Sequence, residues 1–381
     1  MMTILVAMDS FKGSLSSSEA NRAVQEGIHL IDPFESIRTV IVADGGEGTL
    51  ESLRRPLGLE LDSCWINDAL GSMKMATYGY NPSTKVAVIE IAEACGLPAI
   101  PEDLRDPLRS TSYGVGELIL VAIDKGATHL YIGLGGSATT DGGFGMLRAL
   151  GVRFFDAEEE EIVDTGQLHR IHRIDDTRLQ DSLGGCSFTI ICDVENPFFG
   201  EEGAAHVFAQ QKGADAETVR MLDEGLRQMA TIIFSTKRID LQRIPGSGAA
   251  GGLGGAFAGF LDGSFVSGAE LILEANDVKA EDGTFSVMFS GEGRIDSQTL
   301  KGKLPMAIGR MGLASDTPVI LLGGSLDIPT NELVGTGISS AHSIASGPMS
   351  LEDMMKPDIA FESLKQKASN CYMLWKSIRK G

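Results

Sequence analysis

Residues 133–147 read GLGGSATTDGGFGML and combine many glycines with three hydroxyl groups and one carboxylate. The run THLYIGL (128–134) has the composition of a buried strand, and the residues from Gly142 onward resemble a helix. The loop between them would present backbone N–H groups at a helix N-terminus, a position that attracts anions. A tight turn with a capping aspartate explains the stretch equally well. Its candidate ligands are Gly136, Ser137, Thr139, Thr140 and Asp141.

Three more loops place charged side chains directly after apolar, strand-like runs. DSFKGS follows TILVAM (3–8), DGGEGT follows IRTVIVA (37–43), and SGEGRIDSQTLKGK (290–303) follows FSVMF. Because open α/β sheets bind ligands beyond the carboxyl ends of their strands, we expect these loops to converge on one cleft. Together they supply Asp9, Lys12, Ser14, Asp44, Glu47, Thr49, Glu292, Arg294, Asp296, Thr299, Lys301 and Lys303.

The middle of the chain repeats this theme. SFTIICDVENPFFG (187–200) delivers Asp193 and Asn196 at the end of an apolar strand, and HVFAQQKGA brings Lys212 soon afterwards. The dense small residues of IPGSGAAGGLGGAFAGF (244–260) favour a helix packed closely against another element. Its first turn, which contains Ser247, is nevertheless a candidate contact for a phosphate.

These parts match the needs of phosphoryl transfer from a magnesium nucleotide. That reaction requires a carboxylate for the metal, cations against the transferring group, backbone donors for phosphate oxygens and a base near the acceptor hydroxyl. The chain lacks GxxxxGK[ST], a protein-kinase signature and a GxGxxG after its first strand, so neither a P-loop nor a dinucleotide site is indicated. Histidines in HExxH spacing and a GxSxG elbow are missing too, which disfavours zinc-dependent and serine hydrolases.

Composition excludes several other classes of protein. The 381 residues include 52 acidic and 32 basic side chains, giving a formal net charge of -20 that repels nucleic acid and anionic membranes. The five cysteines have no CxxC spacing, and their odd number suits reduced thiols better than a disulfide framework. TILVAM is too short for a signal peptide, and no apolar run has transmembrane length, so we expect a cytoplasmic protein without a membrane partner.

The alternation of strand and helix patterns predicts the fold. At both ends of the chain it indicates a doubly wound, mostly parallel sheet in an α/β fold. Between them, strand-like runs at 73–80 and 85–91 are joined by an Asn-Pro-Ser turn typical of hairpins. We therefore predict two domains: a discontinuous outer domain formed by residues 1–60 and 285–381, and an inserted mixed α/β domain formed by residues 61–284, with the active site in the cleft between them.

Six of these stretches, in the same order across nearly the whole chain, resemble the bacterial glycerate kinase family, type I. They are DSFKGS, DGGEGT, GGSATTDGG, CDVENPFFG with QKGA, PGSGAAGG and GEGRIDSQTLKGK. The resemblance implies ATP- and Mg²⁺-dependent phosphorylation of D-glycerate, commonly at the 2-hydroxyl, in glyoxylate or sugar-diacid breakdown. It also implies a flavodoxin-like domain interrupted by a second α/β domain. Thr140, Phe198 and Ala209 depart from residues usual in the family, which affects the expected shape of the pocket.

Chemistry assigns roles for that reaction. Arg294 suits the substrate carboxylate or the transferring phosphoryl group, because its planar fork binds either anion through two hydrogen bonds. Asp193 is the predicted base with Asp296 as rival, and Lys12 and Lys212 would neutralise phosphoryl charge. Asp44, Glu47 and Glu292 compete as magnesium ligands. Substrate or phosphate binding is assigned to Asp9, Ser14, Gly136, Ser137, Thr139, Thr140, Asp141, Asn196, Lys212, Ser247, Thr299 and Lys303.

Three alternatives stay open at this point. The acceptor could be the 3-hydroxyl of glycerate, which makes a glycerate 3-kinase. An NAD-dependent oxidoreductase acting on the same hydroxy acid belongs to a different class of enzyme, and a non-enzymatic anion-binding regulator would have no turnover. A monomer and a homodimer are equally compatible with the sequence.

Overall fold

The structure is a computed structural model that describes residues 3–43, 45–279, 284–297, 299–301 and 303–379. Its contacts divide the chain into two compact units. The first unit comprises residues 1–44 and 268–381, and the second comprises residues 45–267. The outer and inserted domains were predicted to meet near residues 60 and 285, whereas residues 45–60 lie in the second unit and residues 268–284 in the first.

The boundaries move for a physical reason at each end. The backbone carbonyl of Gly45 accepts the N–H of Gly135 at 2.8 Å, which ties the glycine turn after residue 44 to the second unit. At the other boundary, Glu270 forms an ion pair of 2.7 Å with Arg310 of the first unit. Both contacts join residues far apart in sequence, so the local alternation of strand and helix patterns could not predict them.

The described residues contain strands, α-helices and short 3₁₀ helices, numbered along the chain. The strands are β1 Thr3–Met8, β2 Ile37–Thr39, β3 Glu60–Asn67, β4 Met73–Asn81, β5 Val86–Glu90, β6 His129–Gly133, β7 Arg153–Phe155, β8 Glu161–Ile162, β9 Arg173–Asp175, β10 Ser187–Ile191, β11 Ser264–Val266, β12 Phe285–Ile295, β13 Val319–Leu326 and β14 Ser340–Ser343. The α-helices are α1 Ser17–Ile31, α2 Thr49–Arg54, α3 Ala92–Cys95, α4 Tyr113–Asp124, α5 Phe144–Ala149, α6 Leu179–Leu183, α7 Ala204–Phe208, α8 Ala216–Lys237, α9 Ala249–Phe260, α10 Gly268–Ala275, α11 Leu304–Ala314, α12 Leu351–Met354 and α13 Pro357–Arg379. The 3₁₀ helices are Leu97–Ala99, Glu102–Leu104, Thr165–Arg170, Gln210–Lys212, Leu241–Arg243, Thr299–Lys301 and Thr330–Leu333.

The first unit is built on a five-stranded parallel sheet in the order β14-β13-β12-β1-β2. This is the flavodoxin-like order, so the predicted doubly wound α/β fold is confirmed. Residues 4–8 of β1 have no exposed surface, as expected for a strand covered by helices on both faces of a parallel sheet. The order reverses between β1 and β12, and ligands bind beyond the carboxyl ends of the strands at such a switch point.

Helices α1 and α13 pack directly against each other over this sheet. A side chain at Gly27 would collide with the backbone carbonyl of Lys365, so the close approach of the two helices depends on glycine. Ala20, Val24 and Ile28 of α1 share a core with Leu364 and other residues of α13. The packing of α1 against α13 therefore fixes the position of α1 directly after the loop that follows β1.

The second unit has a six-stranded mixed sheet in the order β11-β10-β6-β5-β4-β3. β4 pairs antiparallel with β5, as the Asn-Pro-Ser turn predicts, and β5, β6, β10 and β11 are parallel. The register aligns Glu90, Gly133, Ile191 and Val266 across four neighbouring strands. We call these four residues the strand-end row, and the loops that follow them start at one edge of the sheet.

Two local predictions need correction. The run 37–43 was expected to form a full strand, but β2 spans only Ile37–Thr39. Val40 still donates its N–H to the carbonyl of Val6, whereas Val42 donates to the hydroxyl of Ser17 in α1 instead of to the sheet. The run 244–260 forms helix α9, yet Ala250, Gly251 and Gly252 have positive φ angles of 53°, 70° and 94°. Its first turn is thus a loop that approaches other backbone closely, in place of a regular helical turn.

A search of the described helices for one long and apolar enough to cross a membrane finds none. All five cysteines are free thiols, as their spacing predicts.

The N-terminus of α1 provides a test of the local folding argument. The side chain of Ser16 accepts the N–H of Glu19 at 3.2 Å, and Glu19 accepts the N–H of Ser16 at 2.9 Å, forming the capping box that a serine followed three residues later by glutamate favours. We expect Ser16→Ala to lower the free energy of unfolding by about 1 kcal/mol, because the backbone N–H of Glu19 loses the hydroxyl that accepts its hydrogen bond. Chemical denaturation measures this loss. Ser18→Ala, a substitution within the first turn of α1, is the control. An equal loss of stability in both variants would contradict a capping role for Ser16.

Candidate active site

The glycine loops of the second unit converge on the strand-end row. A side chain at Gly45 would collide with the carbonyl of Ile191, and one at Gly135 would collide with Gly46. A side chain at Gly251 would strike the carbonyl of Thr139. We call residues 45–48, 133–143 and 246–252 the glycine-loop cluster. Its backbones approach closely enough that only glycine fits at these contacts.

Lys212 is a buried cation in this cluster. It is 3% exposed, and its ammonium group donates to Ser137 Oγ at 3.0 Å and to the carbonyl of Thr139 at 2.6 Å. Burial lowers the pKa of Lys212 to about 8. Since a lysine loses part of its hydration here without a carboxylate in hydrogen-bonding distance among the described residues, an incoming anion would stabilise the charged form.

Three hydroxyl groups near Lys212 are buried without a hydrogen-bonding partner in the described structure. They belong to Thr139, Thr140 and Ser247, each of which has no exposed surface. An unpaired buried hydroxyl costs free energy, and such groups occur where an ion or ligand completes the site. The loops of residues 139–142 and 246–252 are joined by the N–H of Gly142, which donates to the carbonyl of Gly251 at 2.9 Å.

Asp141 anchors the loop through its carboxylate. One carboxylate oxygen accepts the backbone N–H and the hydroxyl of Ser112 at 2.9 and 2.8 Å, and the N–H of Gly145 at 3.1 Å. The other accepts the N–H of Gly143 at 3.1 Å. Burial raises the pKa of Asp141 while these four donors oppose the shift. These four hydrogen bonds give Asp141 a structural role, and its role in substrate or phosphate binding stays a prediction.

The remaining predicted residues of the second unit lie around this cluster. Asp193 follows β10 and is half-buried. The side-chain amide of Asn196 donates to the carbonyl of Glu202 at 2.8 Å. The backbone carbonyl of Asn196 accepts the N–H of Gly248, so Asn196 holds two loops together. Gly136 is exposed with φ 72°, and Ser137 is bound to Lys212. The structure thus brings Ser137, Thr139, Thr140, Lys212 and Ser247 into one place.

A second group of predicted residues lies at the carboxyl ends of β1 and β12 in the first unit. We call Asp9, Lys12, Glu292, Thr299 and Lys303 the switch-point cluster. Glu292 is 7% exposed, accepts the hydroxyl of Thr299 at 2.6 Å and forms an ion pair of 3.1 Å with Lys303. The N–H of Asp9 donates to the carbonyl of Gly291, which joins the ends of the two strands.

Two further predicted residues, Arg294 and Ser14, border this cluster. Arg294 is 68% exposed and forms an ion pair of 2.7 Å with Asp327, with Asp296 at 3.6 Å. Lys12 is exposed in the loop after β1, whereas the hydroxyl of Ser14 in the same loop is buried without a hydrogen-bonding partner. The guanidinium of Arg294 would have to leave Asp327 to bind an anion fully.

The predicted magnesium ligands do not form a metal centre among the described residues. Asp44 lies outside the described residues, Glu47 is exposed, and Glu292 is already neutralised by Lys303. The described part of the chain has no group of three or more His, Cys, Asp or Glu that could hold a metal. Mg²⁺ in nucleotide sites is held largely by phosphates and water with only one or two carboxylates, and Glu47 fits that need.

The sequence analysis missed Glu90, the first member of the strand-end row. Its carboxylate accepts the N–H of Leu50 at 2.7 Å, at the start of α2. Burial, reinforced by the neighbouring carboxylates of Glu93 and Glu47, raises the pKa of Glu90 to about 7. The signal available in the sequence was a single acidic residue that ends the apolar strand VAVIE, which is the pattern that drew attention to Asp193.

The raised pKa of Glu90 predicts a pH-dependent stability. The folded state binds this proton more tightly than the unfolded chain, so the carboxylate is penalised increasingly from pH 4.5 to 7 and fully above that. Glu90→Gln keeps an acceptor for Leu50 and removes the charge, so it should raise the free energy of unfolding at pH 8 by up to about 3 kcal/mol, and by much less at pH 5.

Chemical denaturation of the wild type and Glu90→Gln at pH 5 and pH 8 checks this expectation. Glu51→Gln, an exposed carboxylate on α2, is the matched control and should follow the wild type. Parallel pH dependence in all three proteins would show that Glu90 titrates normally.

Both clusters lie at the carboxyl ends of parallel strands, where α/β enzymes bind their ligands. A profile described as the Glycerate kinase family matches residues 4–376. Glycerate kinase of Bacillus cereus is 39% identical over 98% of both chains, and glycerate 2-kinase of Escherichia coli K12 is 38% identical over 93% of both. The crystal structure of a protein assigned as glycerate kinase 2 from Salmonella typhimurium LT2 covers 100% of both chains with TM-score 0.81 and 36% identity.

The chain belongs to the glycerate kinase family and is a small-molecule kinase. The family predicted from the six sequence stretches is confirmed. Membership does not depend on the assignment of individual site residues, which the comparisons leave open.

Proposed function

We propose that the protein transfers the γ-phosphoryl group of ATP to the 2-hydroxyl of D-glycerate, giving 2-phosphoglycerate and ADP. The observation that carries the proposal is the buried ammonium of Lys212 beside three unpartnered hydroxyls in loops at the strand-end row. Family membership supports glycerate as the acceptor, and the Escherichia coli relative, named glycerate 2-kinase, supports the 2-hydroxyl. We place the reaction in the breakdown of glyoxylate or sugar diacids, as the resemblance implies.

The glycine-loop cluster is suited to hold an anionic oxygen, either of a nucleotide phosphate or of the glycerate carboxylate. Preorganised donors act strongly on developing charge when water is excluded, and the ammonium of Lys212 is already fixed by Ser137 and the carbonyl of Thr139. The hydroxyls of Thr140 and Ser247 would donate to the same anion. In this role Lys212 neutralises phosphoryl or carboxylate charge.

The first unit has exposed cations of its own. Lys12 in the loop after β1 and Arg294 at the end of β12 would bind phosphoryl or carboxylate oxygens. Arg294 now pairs with Asp327. Binding would replace this carboxylate with a phosphate or carboxylate of the ligand, so the guanidinium would keep an anionic partner. Bound Mg²⁺ would neutralise charge on the nucleotide phosphates, with Glu47 as its protein ligand.

A base must remove the proton of the acceptor hydroxyl. Asp193 keeps this role in our proposal, with Asp296 as its rival, because both are carboxylates in loops after strand ends. Glu90 is a further candidate, since a carboxylate with a pKa near 7 is matched to proton transfer at neutral pH.

Phosphorus NMR of the products formed from ATP, Mg²⁺ and D-glycerate tests the proposal directly. A resonance of 2-phosphoglycerate together with ADP is the expected result. Formation of 3-phosphoglycerate would replace it with the 3-kinase reaction. Formation of NADH from NAD⁺ and D-glycerate, with no phosphorylated product, would favour the oxidoreductase.

Removing the hydroxyl of Thr140 separates a ligand-binding role from a structural one. Because this hydroxyl has no partner in the described structure, Thr140→Val should leave the free energy of unfolding unchanged within about 1 kcal/mol or raise it. The same variant should lower kcat/KM about tenfold, since a hydrogen bond to a charged ligand is lost.

Thr317→Val in the first unit is the matched control. The buried hydroxyl of Thr317 bonds Ser315 at 2.9 Å, so this variant should lose stability and keep kcat/KM. If Thr140→Val destabilised the protein like Thr317→Val while kcat/KM stayed constant, the hydroxyl would have no ligand to bind.

Replacement of each carboxylate identifies the base by steady-state kinetics. We expect Asp193→Asn to lower kcat by at least about a hundredfold, the usual contribution of a general base, with unchanged stability. Asp296→Asn and Glu90→Gln should then lower kcat far less. A loss below about tenfold for Asp193→Asn, or 1.4 kcal/mol of barrier, would assign the role to whichever of the other variants fails.

A further inference from the structure

The second unit contains a cavity of about 410 Å³, and none of its lining residues belongs to the predicted active site. Its walls come from the end of β3, the turn before β4, the segment preceding α4, the last turn of α5 and the loop after β8. Organic ligands occupy sites of roughly 300 to 1,000 Å³, so the space suits a small organic molecule better than a single inorganic ion.

Two arginines, Arg109 and Arg148, line this cavity. The side chain of Arg109 makes no hydrogen bond or ion pair with the described residues. Arg148 donates one N–H to the carbonyl of Val163 at 3.0 Å, and its guanidinium lies 5.5 Å from the ring centroid of Phe144. Most of the donors of both guanidinium groups thus remain available in a protein of net charge -20.

The other polar groups around the arginines act on an anion in opposite directions: the hydroxyl of Tyr113 can donate to it, whereas the carboxylate of Asp164 repels it. Asp164, which also lines the cavity, accepts the N–H of Gly166 at 2.9 Å and forms no ion pair with either arginine in the described structure. Tyr113 adds a hydroxyl whose hydrogen-bonding partner is not supplied by the described residues. Paired guanidinium forks bind carboxylate and phosphate groups through two hydrogen bonds each.

The same walls support the anchor of residues 133–147. Thr111 and Tyr113 line the cavity on either side of Ser112, whose N–H and hydroxyl both bind Asp141. Ser112 Oγ also accepts the N–H of Met146 in α5, the helix that carries Arg148. A ligand that joined Arg109 and Tyr113 to Arg148 would hold α4 and α5 together at the point where Asp141 is fixed.

We propose that this cavity binds a small organic dianion, carrying phosphate or carboxylate groups, and that binding strengthens the Ser112–Asp141 anchor of the glycine loop. The proposal requires no chemical step at the cavity. It concerns a site separate from the one that performs phosphoryl transfer, so it is testable whether or not the proposed substrate is correct.

Isothermal titration calorimetry in a Lys212→Met protein that also carries Lys12→Ala and Arg294→Ala tests binding, because these substitutions remove the cations assigned to the other anion sites. The probes are 2-phosphoglycerate, malonate and inorganic phosphate, which separate organic phosphates, dicarboxylates and the bare ion. We expect one binding event for an organic dianion, weakened at least tenfold by Arg109→Ala in the same background. Arg220→Ala, an exposed arginine on α8, is the control and should bind like its parent. If Lys212→Met does not fold, the wild type saturated with ADP and D-glycerate replaces it.

Hydrogen exchange provides the second readout. Ligand binding should slow amide exchange of Gly143 and Gly145, which donate to Asp141, and Arg109→Ala should abolish the effect while leaving kcat without ligand unchanged. Equal titrations of the Arg109→Ala and Arg220→Ala proteins would overturn the site. Tight binding with no change of exchange at residues 143–145 would overturn its link to the loop.

Discussion

One buried ammonium group, that of Lys212, explains why the loops of the second unit are built as they are. A lysine taken out of water lowers its own pKa unless other groups replace its hydration, and here a hydroxyl and one carbonyl do so only in part. The glycines allow the loops to enclose this charge, because side chains at Gly45, Gly135 and Gly251 would meet neighbouring backbone. The nearby Asp141 opposes this lowering of the pKa only in part, and no carboxylate of the described residues hydrogen-bonds the ammonium, so an anionic ligand would stabilise it further.

The loop of residues 133–147 contains two kinds of buried polar group, one with hydrogen-bonding partners in the described structure and one without. The carboxylate of Asp141 is fully hydrogen-bonded and rigidifies the start of α5. The hydroxyls of Thr139 and Thr140, two residues and one residue earlier, have no partner in the described structure. A firmly anchored loop that presents unsatisfied donors is preorganised for binding, since little order must be imposed when the ligand arrives. Fold and proposed chemistry therefore depend on the same few residues.

The sequence predicted what depends on local pattern. Alternating apolar runs predicted the doubly wound parallel sheet, and the family resemblance implied its flavodoxin-like form. The spacing of Ser16 and Glu19 favours the capping box found at the start of α1. The placement of polar loops after strands also anticipated which residues gather near Lys212 and near Glu292. Burial and partners could not be predicted, because they arise from contacts distant in sequence. Asp141 was therefore expected to bind a ligand, and Glu90 was overlooked.

The protonation of Lys212 is the most direct test of this account. Nuclear magnetic resonance of protein labelled at lysine Cε, with the resonance assigned by its loss in Lys212→Met, follows the ionisation of this one group. The account predicts a pKa near 8 in the free protein and a higher pKa when ADP and D-glycerate are bound, since an anion stabilises the ammonium. An ordinary lysine pKa in the free protein would contradict the account, and so would a pKa of Lys212 that does not change when ADP and D-glycerate bind.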